Sequence, residues 1–265
     1  MRGFLNLGNT CYFNTAIQCL LYIPVLSNYF LQKGYYGDCE FTQLYSKLVH
    51  FYWDEKTKGP LNIKPLLQKF CEHFPRFKNT DPHDVQEAIL CIIDILERSC
   101  PIIKEWFYGK KIQETIWPGG KSTNEEDFSI HIVRSNGRNL ENMLKESANW
   151  NTIENFEDTE GKVYNVATTR MLFSKLPQVF MISFDRKSHI NVIERITVGD
   201  REYNLIASAV HMGLQYDGHY VSFVKHADKW YYINDDFADE ANLPISGGHY
   251  VLVYNLKTPS SECPP

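Results

Sequence analysis

The stretch Asn6-Leu7-Gly8-Asn9-Thr10-Cys11-Tyr12-Phe13-Asn14-Thr15-Ala16-Ile17-Gln18-Cys19-Leu20-Leu21 decides how the rest of the chain is read. A polar, glycine-bearing segment runs straight into a pattern in which Phe13, Ala16, Ile17, Leu20 and Leu21 recur at helical spacing until Pro24 ends it. Cys11 therefore stands at a helix N-terminus. Unpaired N–H groups and a partial positive charge there are expected to lower a thiol pKa, and the same donors can hold an oxyanion. The plainer alternative is a small buried residue at a helix start, and position alone leaves the two evenly balanced. Cys19, inside the helix, reads as core.

Working outward, helical spacing continues. Phe41, Leu44, Tyr45, Leu48 and Phe51 mark a second helix, and Leu66, Leu67, Phe70 and Phe74, after Asn62, a third. A fourth is predicted over 81–97, with Asp81 as N-cap, Pro82 at its first position and Val85, Ile89, Ile92, Ile93 and Leu96 on its apolar face. Beyond residue 128 the period changes to two, at 128–132, 179–184, 190–198, 205–211, 220–224, 231–233 and 250–253. Helices first and an antiparallel-looking sheet second predict an α+β fold. The polar stretches 117–127 and 136–161 read as peripheral insertions, and 258–265 as a disordered tail.

Composition narrows the function classes. The 265 residues are 43% hydrophobic and 14% aromatic, enough for a substantial core without a staple. Lys plus Arg is 27 against 32 Asp plus Glu, a net charge of −5, which disfavours a protein that coats nucleic acid. No apolar run reaches membrane-span length, and the N-terminus is too polar for a signal peptide. Seven cysteines with no C-x-x-C argue for a reducing, intracellular setting, cytoplasm or nucleus. No metal-ligand spacing occurs among the histidines and cysteines, so neither metal nor cofactor is expected. Gly119-Gly120-Lys121-Ser122 resembles the end of a phosphate-binding loop, but Thr115 stands where the first glycine belongs.

A cysteine nucleophile wants a base, and the base an orienting partner. Residues 215–221 and 229–236 read as a hairpin turning at Ala227-Asp228. In that register Val221 faces Asn234, and His219 is a diagonal neighbour on the same face; a slip of one residue would bring Asp235 opposite His219 instead. The spacing leaves the choice open. Asp84 and Glu87 share one side of the fourth helix near its start, which is also ordinary compensation of the helix dipole.

Together these segments closely resemble the ubiquitin-specific protease family of deubiquitinating cysteine peptidases. The segment from Gly3-Phe4-Leu5-Asn6 through Cys11 to Leu20 is similar to the family's cysteine box, His83-Asp84-Val85-Gln86-Glu87 to its acidic box, and 211–221 with 230–235 to its histidine box. Leu176-Pro177-Gln178-Val179 resembles the strand leading to the family's palm. The resemblance implies one papain-like catalytic domain over 1–257: helical thumb 1–107, fingers-like insertion 108–175 and antiparallel β palm 176–257. It implies hydrolysis after the C-terminal glycine of ubiquitin, with Cys11 as nucleophile, His219 as base and acid, Asn234 orienting the imidazole and Asn6 in the oxyanion hole. Asp235 would assist or substitute, and Asp84 and Glu87 would meet the arginine-bearing tail of ubiquitin. The expected partners are ubiquitin or ubiquitinated proteins, with no nucleic acid or membrane, and the expected state is a monomer. Many family members hold zinc with paired cysteines in the fingers; none stands in the corresponding stretches here, so zinc-free, reduced fingers are expected. The rival readings are a peptidase for another Gly-Gly modifier, an inactive ubiquitin-binding module and, more remotely, an acyltransferase.

Overall fold

The computed structural model describes residues 1–133, 140–184, 190–214 and 217–257. Helices come first: α1 (Cys11–Leu21), α2 (Pro24–Lys33), α3 (Glu40–Trp53), α4 (Lys64–His73), α5 (Val85–Ser99) and α6 (Ile102–Phe107). Strands β1 (Gly109–Trp117), β2 (Gly120–Phe128) and β3 (Ile130–Ile132) follow, then α7 (Leu140–Ser147), β4 (Asn151–Glu157), β5 (Val163–Lys175) and β6 (Val179–Ser183). The chain continues through β7 (Ile190–Asn191), β8 (Arg195–Val198), β9 (Arg201–Leu214), β10 (Asp217–His226) and β11 (Lys229–Asn234). Strands β12 (Phe237–Glu240), β13 (Ser246–Gly247) and β14 (His249–Leu256) complete it.

Two helix boundaries differ from the sequence expectation. Pro24 ends the first apolar pattern but also opens α2, because its missing N–H is one that no first-turn residue needs. The cap of α5 is Asp84, not Asp81: its Oδ1 accepts from the N–H groups of Gln86 at 2.7 Å and Glu87 at 3.1 Å. Asp81 stays outside the helix and accepts from the Asn79 amide at 2.6 Å, while the His83 ring packs on Tyr12 and Phe77 and keeps the chain extended until residue 84.

The large sheet runs β12-β11-β10-β9-β14-β6-β3, with β8 added on β9. It is antiparallel except at one edge, where β3 lies parallel to β6. Both faces are covered. Val179, Met181, Val224, Val251 and Val253 face the helices of the first hundred residues, and Phe180, Ile182, Phe223, Leu252 and Tyr254 face a second cluster that includes Leu140 and Leu144 of α7. Strands β6 and β14 accordingly read as continuous apolar runs rather than clean alternation.

The polar stretches expected to be peripheral insertions hold paired strands: β2-β1-β5-β4 form a separate four-stranded antiparallel sheet. They escape a period-two reading because solvent reaches both faces, and β2 is exposed from Gly120 to Asp127. Cross-strand ion pairs, Lys110–Glu125 at 3.0 Å and Lys111–Glu126 at 2.7 Å, line its pairing. The Gly119-Gly120 segment is the β1–β2 turn, with Trp117 opposite Gly120. No group of metal-ligating side chains occurs among the described residues. At this tip Trp117 packs on Phe156 at 5.1 Å and on Tyr164 at 6.4 Å, a carbon-rich donor set that does not fit zinc. A Cβ on Gly119 would stand 2.1 Å from the Tyr164 hydroxyl, so a larger residue there needs that ring to shift. Residues 136–139 of the second stretch and the 258–265 tail lie outside the described residues. No helix among the described residues is long and apolar enough to cross a membrane.

Candidate active site

All 11 residues of α1 are buried, so its polar positions have to find partners inside the molecule. Cys11, Asn14 and Gln18 lie on one stripe at spacings of three and four. The Gln18 amide donates to Arg2 O at 2.8 Å, and its carbonyl accepts from Tyr52 at 2.8 Å. The Asn14 amide donates to Asp235 Oδ1 at 2.8 Å. The N-terminal segment is pinned beside them: Phe4 N–H donates to Asp235 O at 2.6 Å, and a Cβ on Gly3 would lie 2.0 Å from that same oxygen.

The β10–β11 hairpin turns where the sequence places it. Ala227 and Asp228 both have positive φ, 48° and 63°, as a two-residue turn of this hand requires, and His226 pairs with Lys229 through to Ser222 with Ile233. That register puts Asn234 diagonally beside His219, with Nε2 to Oδ1 at 2.6 Å. Asp235 stands farther off, its Oδ2 at 3.7 Å from the same nitrogen. The Asn234 amide donates to the Tyr232 hydroxyl at 3.2 Å, which leaves its carbonyl oxygen for the imidazole. With Nε2 donating, Nδ1 of the neutral ring is the proton acceptor.

Cys11 is 9% exposed. Burial pushes its thiol up, and the charge of Asp235 pushes the same way. Donation from the N–H groups of Tyr220, Tyr12 and Cys11 itself offsets this only in part. The expected lowering by the helix N-terminus is therefore overturned, because desolvation outweighs the local dipole. The shift favours the thiol over the thiolate. The Tyr220 N–H that reaches the sulfur belongs to the residue after His219.

Asn6 sits at the mouth of this arrangement. Its Oδ1 accepts from the N–H groups of Gly8 at 3.0 Å and Thr10 at 3.3 Å, which orients the amide nitrogen toward Asp235 Oδ2 at 2.7 Å. One of the two amide hydrogens is thereby used and the other is left to act. Asp235, at φ 49°, holds Asn6 and Asn14 with its two carboxylate oxygens. Asp84 and Glu87 flank the site from α5, both already engaged. Asp84 Oδ2 accepts from the Tyr250 hydroxyl of β14 at 2.7 Å, and Glu87 pairs with Arg76 at 2.6 Å. Sequence reasoning missed Asn14 and Tyr250. The signal for Asn14 was present, a polar stripe at helical spacing behind Cys11; Tyr250 meets Asp84 only through tertiary packing.

Three comparisons bear on this geometry. The family model described as ubiquitin carboxyl-terminal hydrolase matches residues 2–254. Ubiquitin carboxyl-terminal hydrolase 25 of Arabidopsis thaliana is 25% identical over 96% of this chain and 47% of that protein, and the Drosophila melanogaster hydrolase nonstop is 22% identical over 96% and 67%. The first-named relative is matched over about half its length, and hydrolase 16 of Arabidopsis thaliana over 31% of its own. Among solved structures, the SAGA Ubp8/Sgf11/Sus1/Sgf73 DUB module bound to ubiquitin aldehyde superimposes with a TM-score of 0.82 at 18% identity, covering 97% of this chain and 70% of that one. A yeast SAGA DUB module structure gives 0.79 at 19% identity, covering 97% and 69%. This chain thus has the α+β, papain-like architecture with helical thumb, β palm and reduced fingers.

Proposed function

This chain belongs to the ubiquitin carboxyl-terminal hydrolase family, and from that we propose that it hydrolyses the peptide or isopeptide bond after the C-terminal glycine of ubiquitin. The observation that carries the reading is the 2.6 Å bond from His219 Nε2 to Asn234 Oδ1, on a hairpin whose Tyr220 N–H meets the Cys11 sulfur. Cys11 Sγ attacks the glycine carbonyl as its proton passes to Nδ1 of His219. The oxyanion takes the remaining Asn6 amide hydrogen and the N–H groups at the start of α1. The tetrahedral intermediate expels the lysine amine, which leaves with the proton from His219. Water then gives a proton to His219 and attacks the thioester, releasing the ubiquitin carboxylate and restoring the thiol. Asn234 keeps the ring in the right tautomer, and Asp235 positions Asn6. Asp84 and Glu87 receive the basic tail, with Arg76 and Tyr250 yielding to it.

The test is the mass of the protein after mixing with ubiquitin carrying a C-terminal electrophile. An adduct of one ubiquitin, absent in Cys11→Ala, is the expected result. No adduct in folded protein that still binds ubiquitin would leave only a binding module. An adduct with another Gly-Gly modifier and none with ubiquitin would reassign the substrate.

A further inference from the structure

The two acidic residues of the α5 side are engaged in different ways. Asp84 caps the helix with Oδ1 and takes the Tyr250 hydroxyl on Oδ2, so both of its oxygens are built into the fold. Glu87, three residues on, has a side chain 43% exposed. Its one ion pair among the described residues is with Arg76, Nε to Oε1 at 2.6 Å.

Arg76 is held from three sides. Its Nη2 donates to the Cys91 sulfur at 3.0 Å, and its guanidinium lies over the rings of Phe74 and Phe77, 5.3 and 5.1 Å from their centroids. Cys91 stands one turn beyond Glu87 on α5, and burial pushes its thiol up to about 11, so it is a neutral acceptor. Phe77 in turn stacks on Tyr12, the residue after Cys11, at 5.7 Å. The guanidinium therefore rests on a shelf that ends beside the nucleophile, with Glu87 as its single compensating charge.

In the hydrolase reading a second guanidinium comes to this wall from outside, on the basic tail of the acyl donor. Two guanidinium groups on one carboxylate leave an uncompensated positive charge, so the second is admitted at the expense of the first. Arg76 can give way, because an exposed ion pair is weak and the rings and the sulfur still hold the side chain.

We propose that Arg76 is a specificity-determining residue for the tail of the acyl donor: at rest its guanidinium holds the place on Glu87 that a tail arginine takes in the complex. It thereby weakens the grip on an arginine-bearing tail and leaves a neutral tail unaffected. The inference rests on the hydrolase reading above. Arg76 acts through Glu87 and touches no reacting atom.

The experiment uses two donors on the full chain: ubiquitin aminocoumarin amide, and the same donor with glutamine in place of the arginines of its tail. Arg76→Gln should lower KM for the arginine-bearing donor about threefold to fivefold. It should leave kcat for that donor, and kcat/KM for the glutamine donor, within about 1.5-fold. In a Glu87→Gln background the same change should have no effect on either donor. A KM that rises would make Arg76 a support for Glu87. An unchanged KM would mean that the tail takes Oε2 while Arg76 stays, and an equal fall for both donors would mean a general effect of charge. Each of these overturns the proposal. If neither donor is cleaved by any form, the hydrolase reading fails separately, and fluorescence anisotropy of the two ubiquitins, labelled, decides instead. Tighter binding to Arg76→Gln confined to the arginine-bearing tail supports the competition, and any other pattern overturns it.

Discussion

The two sheets of this chain have strands of comparable length and meet solvent in opposite ways. The large sheet is covered on both faces, and its central strands β6 and β14 are buried almost throughout. The small sheet stands clear of the core; β2 is exposed over nearly its whole length, and Ile116, Val163 and Val166 face water. The difference sets how each responds to change: the hydrogen bond between His219 and Asn234 is carried by the covered sheet, whereas the small sheet has little packing to lose.

The sharpest way to break this contrast is a cavity in the covered sheet. Leu252, fully buried on β14, should cost about 2–5 kcal/mol on replacement by alanine, read as a shift in urea midpoint. A cost under about 1 kcal/mol would mean the second face is not the stabilising one. Next comes Asp235→Ala, which frees the Asn6 amide from its 2.7 Å partner. Its kcat on ubiquitin aminocoumarin amide should fall about a hundredfold with KM little changed, whereas a purely structural role would lower the folded fraction and spare the kcat of what remains.

At the joint between the sheets lies His131, its ring packed among Phe128, Phe173 and Phe180 at 6.2, 5.0 and 6.3 Å. Neither ring nitrogen has a hydrogen-bond partner among the described residues. Burial, helped by the charge of Lys111, brings its pKa down to about 4. The unfolded chain therefore binds the extra proton first, and stability is lost as pH falls from about 6.5 toward 4. His131→Phe should flatten that dependence by up to about 1.4 kcal/mol per pH unit. His249, buried and pushed the same way, keeps its own contribution; an unchanged slope in His131→Phe would place the sensitivity there.

Smaller effects belong to the exposed sheet. Trp117→Ala at its tip should cost about 1 kcal/mol and raise amide exchange in β1 and β5 without moving that of β14. Ile116, 46% exposed, should tolerate serine within about 0.5 kcal/mol by thermal melting; a larger loss would show that this face is covered in solution.

Legibility followed the same division. Amphipathic helices such as α3 and α5 betray themselves because one face is wet and the other dry. The small sheet left no apolar rhythm because both of its faces are wet, so its strands read as loops. Asn234 was reachable by counting, since a two-residue turn fixes every later pair of a hairpin. The choice between Asn234 and Asp235 needed that register observed. The state of the Cys11 thiol was not reachable: a helix start is visible in the residues, but the burial that overrides it is created by β10 and Asp235, far along the chain. The true cap of α5 was hidden because two aspartates three apart were equally good candidates until the His83 ring found its neighbours.

The position of Asp235 has a consequence in time as well as in space. Asn6, Cys11 and Asn14 are made more than two hundred residues before His219, Asn234 and Asp235. Until the β10–β11 hairpin docks, the Asn6 and Asn14 amides lack their carboxylate partner. A chain cut short before that hairpin thus carries Cys11 with none of this arrangement built around it.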